Sequence, residues 1–547
     1  VTPSFLFHTN NQTTRSLVKL IAFGLALVLC SGLLCALITA WYVHQTSSAL
    51  RQQQFATASQ TAANALTWLQ PIRWLTVYSL PEVELTHTGL QIVVELKEAD
   101  TLITNLKQLN DTDLAAPTID TQQLKAHLTT LQTLIPQSRL LRTKHAQLTQ
   151  LLAIGQDMVS VYEHVKSGPQ TILVVFQNSD EIRATGGFMG SFAKVELNDG
   201  LIHSLTIEDI YQPDGQFTGY VAAPPGVAEY LSSGNGLRLP DSNWFPDFPT
   251  SAQTILSYFA LGTEQNSTGV IAISSSLVTS LLQLTGPITL PDFDTTVTAD
   301  NFTQVARSDR DTFFPGSRQK SMFLSSFFTQ FKLALAELAS EKPTALLETA
   351  QAAGSRKDIQ IFMLDDMLEK VVKQYHFDGA ISIPSTADEY LFLVESNVGI
   401  NKVNPFITRS VAVEIADYQL TIKIEFTNQS TQDQYINYQR LLVPPTVELH
   451  KASYNHQEIP LASIHSHQLL TSDQTQLNQY GLLVELPAKS QRTLELTLTT
   501  NHYYQDSAPT LFIQKQAGLG AVPYSITFQG NQQQLLLEKD TLVKMVQ

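Results

Sequence analysis

Residues 178–191 read NSDEIRATGGFMGS and follow the apolar run TILVVFQ at residues 171–177. Adjacent Gly186 and Gly187 reach backbone angles that other residues avoid, and they leave amides open to a close-approaching anion. Arg183 adds a planar fork of donors that matches phosphate oxygens. The chemistry this spacing could support is anion binding. A glycine pair between strands is also an ordinary turn, and neither a Walker lysine motif nor a dinucleotide GxGxxG accompanies it.

A second basic group, RSDRDTFFPGSRQK at residues 307–320, sets Arg307, Arg310, Arg318 and Lys320 at the entry to a long helix. Helix starts favour anions, and arginines there would add to the effect. Asp309 and Asp311 equally allow a solvated salt-bridge cluster. Ser317 to Lys320 fits the S-x-x-K pattern of serine acyl enzymes, but its companion elements are absent and a helix cap explains it better. The loop DSNWFPDFPTSA at residues 241–252 combines Trp244, Phe245 and Phe248 with prolines, as a packed lid or a ligand wall would. Thr250 or Ser251 is a helix cap there, with Asp247 a further acceptor. The 13 histidines show no H-E-x-x-H or other metal-ligand spacing, so zinc hydrolysis has no support.

These residues need a frame, and the chain has 547 residues to build one, enough for about three or four domains with their own cores. A formal charge of −15 without any lysine- or arginine-rich block argues against general attraction to nucleic acid or anionic lipid. Residues 20–43, LIAFGLALVLCSGLLCALITAWYV, carry no charge. As a helix they would be roughly 36 Å long, enough to cross a hydrocarbon core of about 30 Å. Arg15 and Lys19 precede the run and Trp41–Tyr42 closes it, so the expectation is a retained anchor with the short tail cytoplasmic and the bulk outside. A cleaved signal peptide is the competing reading, with an apolar region that is too long for it. Both cysteines, Cys30 and Cys35, fall inside the run, leaving the exported part without disulfides or thiol chemistry.

Past the run, residues 44–168 repeat leucines at three- and four-residue steps, and Pro71, Pro81, Pro117 and Pro136 punctuate them into several helices of a stalk or bundle. Strands then alternate with helices over residues 169–398, including a hairpin at Asn198-Asp199-Gly200 and a helical stripe through Met322, Phe323, Phe327 and Phe331, which predicts an α/β layer domain. Residues 399–547 read as roughly seven short alternating strands, a β-sandwich. The fold class is thus multidomain α+β: tail 1–19, transmembrane helix 20–43, helical stalk 44–168, α/β domain 169–398 and β-sandwich 399–547.

The segments ILVVFQNSDEIRATGGFMGSF, NWFPDFPTSA, GVIAISSSLVTSLLQLTGPI, SRQKSMFL, ESNVGINKVNPFITRSV and LFIQKQAG together resemble a bacterial family known as domain of unknown function 4012, over about residues 170–528. That family's central domain looks distantly similar to the LytR–CpsA–Psr family, whose members bind polyprenyl pyrophosphate lipids and transfer glycans to the cell wall. In the comparison, residues 174–183 resemble its early strand and Asp/Arg loop, residues 269–287 its strand–helix–glycine element, and residues 310–319 its late arginine-bearing helix start. The resemblance implies a pocket in which Arg183, Arg310 and Arg318 face a pyrophosphate beside Gly186 and Gly187, with Asp180 near a divalent cation such as magnesium. It departs from the transferases at residues 205–214, LTIEDIYQPD, where Glu208-Asp209 stands in place of their Arg-Asp pair. Two functions follow as expectations. One is a membrane-anchored envelope scaffold or interaction protein with an anion pocket, partnered by a polyprenyl-linked glycan or another surface protein and not by nucleic acid. The other is a glycan phosphotransferase.

Overall fold

The computed structural model describes residues 11–52, 54–75, 80–95, 119–261, 267–308, 318–504 and 508–545, with the side chains of residues 11–27 and 306–321 among those outside the description. The chain divides into two compact units, Val1–His164 and Val165–Gln547. It is a multidomain α+β protein, with N-terminal helices, a mixed-sheet domain and C-terminal sheets.

The first unit is helical: α1 (Asn11–Arg51), α2 (Phe55–Leu75), α3 (Pro81–Glu95) and α4 (Thr121–Leu134) lie in it, and α5 (His145–Lys166) begins in it. No proline interrupts α1, so it runs past both ends of the expected 20–43 span. Val28, Leu33, Leu34, Leu37 and Trp41 lie exposed along it, while Thr39, Thr46 and Ala49 are buried. Ala58, Ala62 and Ala65 repeat on one face of α2 and are fully buried, so small side chains let the two backbones approach. Thr46 Oγ1 donates to Thr61 Oγ1 at 3.0 Å across that seam. Among the described residues, no helix is long and apolar enough to cross a membrane.

Two of the four prolines behave as expected. Pro81 opens α3, and Pro136 sits in the one-turn helix that ends α4. Pro71, expected to break a helix, instead lies inside α2, which continues one turn to Leu75. Beyond the proline, Arg73 Nε and Nη2 grip both oxygens of Glu84 on α3, at 2.9 and 3.0 Å, and this fork holds the last turn in place. Pro117 lies outside the described residues.

In the second unit, β1 (Gln170–Asn178) is the middle strand of a mixed sheet. β2 (Phe188–Asn198) and β3 (Leu201–Asp209) form the expected hairpin, with Asp199 and Gly200 at φ of 50° and 77°, as a two-residue turn requires. The chain crosses by α6 (Phe248–Leu261) to β4 (Gly269–Ser274), which lies parallel to β1. α7 (Ser275–Thr285), a small β5–β6 hairpin (Ile288–Leu290, Thr295–Val297), α8 (Arg318–Glu341) and α9 (Pro343–Arg356) follow. β7 (Ile359–Met363) then closes the order β3-β2-β1-β4-β7.

Helices cover both faces of this sheet. Leu173 and Val175 of β1 pack with Phe248, Ile255 and Phe259 of α6 in one core. On the opposite face Phe176 stacks on Phe328 of α8 at 4.8 Å. The stripe on α8 is Phe323, Phe327 and Phe331, buried at four-residue steps, whereas Met322 turns out to solvent, one position round the helix from the stripe.

The remaining strands build two more sheets. In chain order they are β8 (Glu389–Val394), β9 (Ile407–Ala416), β10 (Gln419–Asn428), β11 (Tyr435–Val443), β12 (Val447–Tyr454), β13 (Gln457–Glu458) and β14 (His465–Leu470). They continue with β15 (Gln476–Leu486), β16 (Ser490–Thr500), β17 (Thr510–Gln514), β18 (Val522–Phe528), β19 (Asn531–Leu537) and β20 (Thr541–Lys544). One sheet has the order β13-β12-β16-β10-β9-β18-β19, the other β14-β15-β11-β8-β17-β20. Val413, Ile422 and Leu496 of the first share a core with Leu391, Leu441 and Leu482 of the second.

The six-stranded sheet is buried on its other face too, where Tyr390, Phe392 and Leu442 meet Ala184 and Ile381. β8, which falls within the 169–398 range drawn from the sequence, hydrogen-bonds into this C-terminal sheet between β11 and β17. Phe327→Ala should cost about 3–5 kcal/mol, since the emptied site lies among three other phenylalanines. Chemical denaturation reads this directly, and a loss below about 1 kcal/mol would mean that α8 is not part of the cooperative core.

Candidate functional site

The loop NSDEIRATGG leaves β1 through a single helical turn, Ser179–Glu181, and then runs along the margin where the mixed sheet meets the six-stranded sheet. Arg183 is 1% exposed. Its guanidinium donates from Nη1 to the carbonyls of Ile182 and Asn397, from Nη2 to Glu181 Oε1 at 3.1 Å, and from Nε to Asp241 Oδ1 at 3.3 Å. Phe188 covers one face, its ring centroid 5.6 Å from the guanidinium carbon. The fork expected to hold an anion is thus spent on protein acceptors, which offset the cost of burying its charge.

The two glycines serve close packing. A Cβ on Gly186 would lie 2.5 Å from Gln177 Oε1, and one on Gly187 would lie 2.3 Å from the Asn178 carbonyl carbon. Around them Asn243 Nδ2 donates to Thr185 Oγ1 and to the Gly187 carbonyl, and Gln360 Nε2 donates to the Thr185 carbonyl at 2.6 Å. Gln516 Nε2 donates to the carbonyls of Arg183 and Glu395, at 3.1 and 2.7 Å.

The 241–252 loop belongs to the same joint. Trp244 is 2% exposed, stacked on Tyr438 and lying against the Arg440 guanidinium, 4.5 Å from ring centroid to Cζ. Asp247 is 1% exposed and accepts from Thr250 Oγ1, Ile381 N and Ser472 N. Of the two readings open for this loop, packing is the one observed. Burial of Arg440 pushes its guanidinium down to about 10. Lys515, whose Nζ donates to the carbonyls of Arg356 and Gln516, is pushed down to about 8, chiefly by burial, with Lys357 and Arg356 adding to the effect and Asp358 and Asp540 opposing it.

A cleft of ≈ 530 Å³ opens beyond the carboxyl ends of the parallel strands β1 and β4, the place where open α/β sheets commonly hold ligands. Its polar lining is Ser179, Asp180, Ser276, Asn404, Thr408 and Arg409, with the 518–521 turn and Pro523 forming one apolar wall. Ser274 caps α7 by accepting from Leu277 N at 3.4 Å, and the hydroxyls of Ser179 and Ser275 meet at 3.2 Å, tying the β1 turn to the helix start. Asn404 Oδ1 accepts from Ile182 N at 3.1 Å and from Asn397 Nδ2 at 2.9 Å. Arg409 pairs with Glu395 at 2.6 Å, and Glu395 also accepts from Tyr435 OH. Burial and the neighbouring Glu395 charge raise Tyr435 well above the ordinary tyrosine range, which keeps it a donor.

Of the residues expected at a site, Asp180 lines this cleft, 5% exposed, with its own N–H donating to Asn178 Oδ1. Arg183, Gly186 and Gly187 do not line it. Arg310 lies outside the described residues. Arg318 is the first residue of α8 and its side chain lies outside them. Glu208 and Asp209 end β3, where Asp209 Oδ1 accepts from Tyr211 N. Sequence reasoning missed Ser276, Asn404 and Arg409 as site residues. Their segments stood in the family resemblance, but none carries a chemical motif of its own.

Comparison with known proteins places a domain of the family described as "Protein of unknown function (DUF4012)" at residues 167–310. No curated protein matches the chain. Among solved structures, a Legionella pneumophila protein described as nutrient binding matches at 8% identity with a TM-score of 0.18; the match covers 22% of this chain and half of that one.

Arg183→Ala should destabilise the second unit by about 3–5 kcal/mol, and Arg183→Lys should recover little of it, since an ammonium cannot bridge the same spread of acceptors. Equilibrium unfolding of the variants decides this; near-native stability for Arg183→Ala would contradict the joint. Lys515 gives a pH signature. Unfolded, it holds its proton to about pH 10.4; folded, it releases it near 8. Between these values the unfolded chain binds more protons, so this group favours folding increasingly as pH rises. The stability difference between wild type and Lys515→Met should move toward wild type by up to about 1.4 kcal/mol per pH unit there, and a flat difference would reject the assignment.

Proposed function

We propose that this DUF4012-domain protein is a membrane-anchored, extracytoplasmic protein of the cell envelope. It acts as a rigid interaction scaffold with the cleft beside Asp180 as its ligand site. The observation that carries the scaffold reading over a phosphotransferase is the inward turn of Arg183, whose guanidinium meets four protein groups. A transferase needs preorganised cationic groups aimed at the phosphate that develops charge, and Arg183 was the first of the three arginines expected to supply them. Glu208-Asp209, at the place of the transferases' Arg-Asp pair, adds acid where that chemistry wants a base-paired cation.

The anchor rests on the charge-free run at 20–43, which lies within one continuous helix, and on the apolar side chains exposed along that helix from Val28 to Trp41. With the bulk outside the cytoplasm, the absence of thiols after Cys35 suits a compartment where stability comes from cores and from the polar joint. The partners this reading implies are a glycan phosphate, including a polyprenyl-linked one, or another surface protein. No cation is required by the scaffold reading.

Fractionation tests the placement. The full chain should stay in the membrane pellet through an alkaline carbonate wash, and a chain lacking residues 1–43 should be released. Protease added to cells stripped of their outer barrier should digest the 165–547 unit without lysis. A full chain recovered in the soluble fraction, or protected until lysis, would overturn the reading.

A further inference from the structure

We infer that the junction of α2 and α3, bearing Trp68, Trp74 and Leu80, rests in the outer headgroup layer of the bilayer beside α1, as a second membrane contact of the first unit. The inference rests on the reading of α1 as a membrane anchor. α1 and α2 pack as an antiparallel hairpin: Thr46 meets Thr61, and Tyr42 and Val43 pack with Ala62 and Ala65. Thr39 and Leu69, further from the turn, are both buried, as a continuing seam requires. Leu33 and Trp74 each lie thirteen residues beyond the Thr46–Thr61 contact, roughly 20 Å along their helices. The far end of α2 is therefore level with the charge-free part of α1.

The exposed faces of the two helices change character in the same direction. Near the turn α1 exposes His44, Ser47 and Arg51, and α2 exposes Thr57 and Gln60. Away from it α1 exposes Leu34, Leu37 and Trp41, and α2 exposes Trp68, Pro71 and Trp74, which is 88% exposed. Leu80, just before α3, is half-exposed. Three of the chain's four tryptophans thus stand exposed along the apolar part of the hairpin, while Trp244 is buried in the second unit. Between Lys19 and Arg73 the only charged residue is Arg51, at the turn. A face for another protein has no need of a polarity gradient shared by two helices. A boundary between water and lipid imposes one, and tryptophan favours that boundary. Charge sets the depth. Arg73 is neutralised by both Glu84 oxygens, with Nη1 2.8 Å from His87 Nε2. Glu82 in the first turn of α3 would be costly in hydrocarbon. The junction thus lies among the headgroups, as interfacial helices do, and along α1 the outer edge of the bilayer falls near Leu33–Trp41.

The test attaches a nitrobenzoxadiazole label to a single cysteine in the full chain, with Cys30 and Cys35 replaced by serine, reconstituted in phosphatidylcholine nanodiscs. Gln70 and Leu37 stand level with each other, nine residues beyond the Thr46–Thr61 contact, and Gln60 stands near the turn. All three are exposed, so Gln70→Cys, Leu37→Cys and Gln60→Cys leave the packing intact. A label at residue 70 should lose emission to lipids carrying a nitroxide near the headgroup and resist aqueous iodide, as should one at residue 37. A label at residue 60 should lose emission to iodide and not to the lipid. Lipid quenching at residue 37 without it at residue 70 would overturn the inference and leave the anchor standing, while lipid quenching at neither would remove both. A label at residue 70 shielded from iodide yet untouched by the lipid would give this face to another protein chain and overturn the inference equally. Lipid quenching at residue 60 as strong as at residue 70 would overturn the headgroup placement.

Discussion

The buried guanidinium of Arg183 ties together the two halves of the second unit. Arg183 comes from the loop after β1, yet its Nη1 donates to the carbonyl of Asn397, 214 residues away in the chain. Burying a cation this deeply is costly unless its donors are matched and its charge is compensated. Glu181 and Asp241 supply the compensation, and the backbone carbonyls supply the match. The consequence is positional. Once the guanidinium is satisfied, the β1 loop, the segment from Asp241 to Trp244 and the segment after β8 occupy one mutual arrangement, because any slip would strand a charge in a dry interior.

This constraint follows from how the sheets are stacked. The six-stranded sheet has the seven-stranded sheet on one face and the mixed-sheet layer on the other, so β8 and β11 are buried nearly throughout. Apolar side chains fill both faces and give adhesion without direction. Direction comes from the margin, where Asn243, Asp247, Gln360, Asn397, Arg440 and Gln516 make hydrogen bonds between segments far apart in sequence. Such a network excludes alternative registers, since each buried polar group left unmatched costs free energy that an apolar slip would not.

That division explains what the sequence made legible. Local signals worked. Asp199-Gly200 was a hairpin from its residue types alone, and the phenylalanine stripe of α8 was read from its period, apart from Met322. The helix–strand alternation of the mixed sheet and the strand-rich C-terminal part were visible for the same reason. Pairing was not visible. The EYLFLV of β8 is apolar on both sides, which is equally the pattern of a central strand in an α/β layer and of one in a doubly covered sheet. Only its neighbours, β11 and β17, distinguish the two. The site fared worse. Arginine followed by a glycine pair signals either anion binding or close packing, and the choice depends on acceptors more than two hundred residues away.

The cleft inherits its rigidity from the same joint. Asn404 accepts from Ile182, the residue before Arg183, and from Asn397, whose carbonyl receives the Arg183 guanidinium. Asn404, one of the residues lining the cleft, is therefore held by two of the segments that the buried cation fixes. On the opposite wall, Ser179 ties the β1 turn to the start of α7. A lining held this firmly has little conformational freedom left to lose, which is the preorganisation that specific binding relies on. Arg183, Gly186 and Gly187, which look like an anion site in the sequence, do not line the cleft, but the buried charge fixes the segments whose residues do.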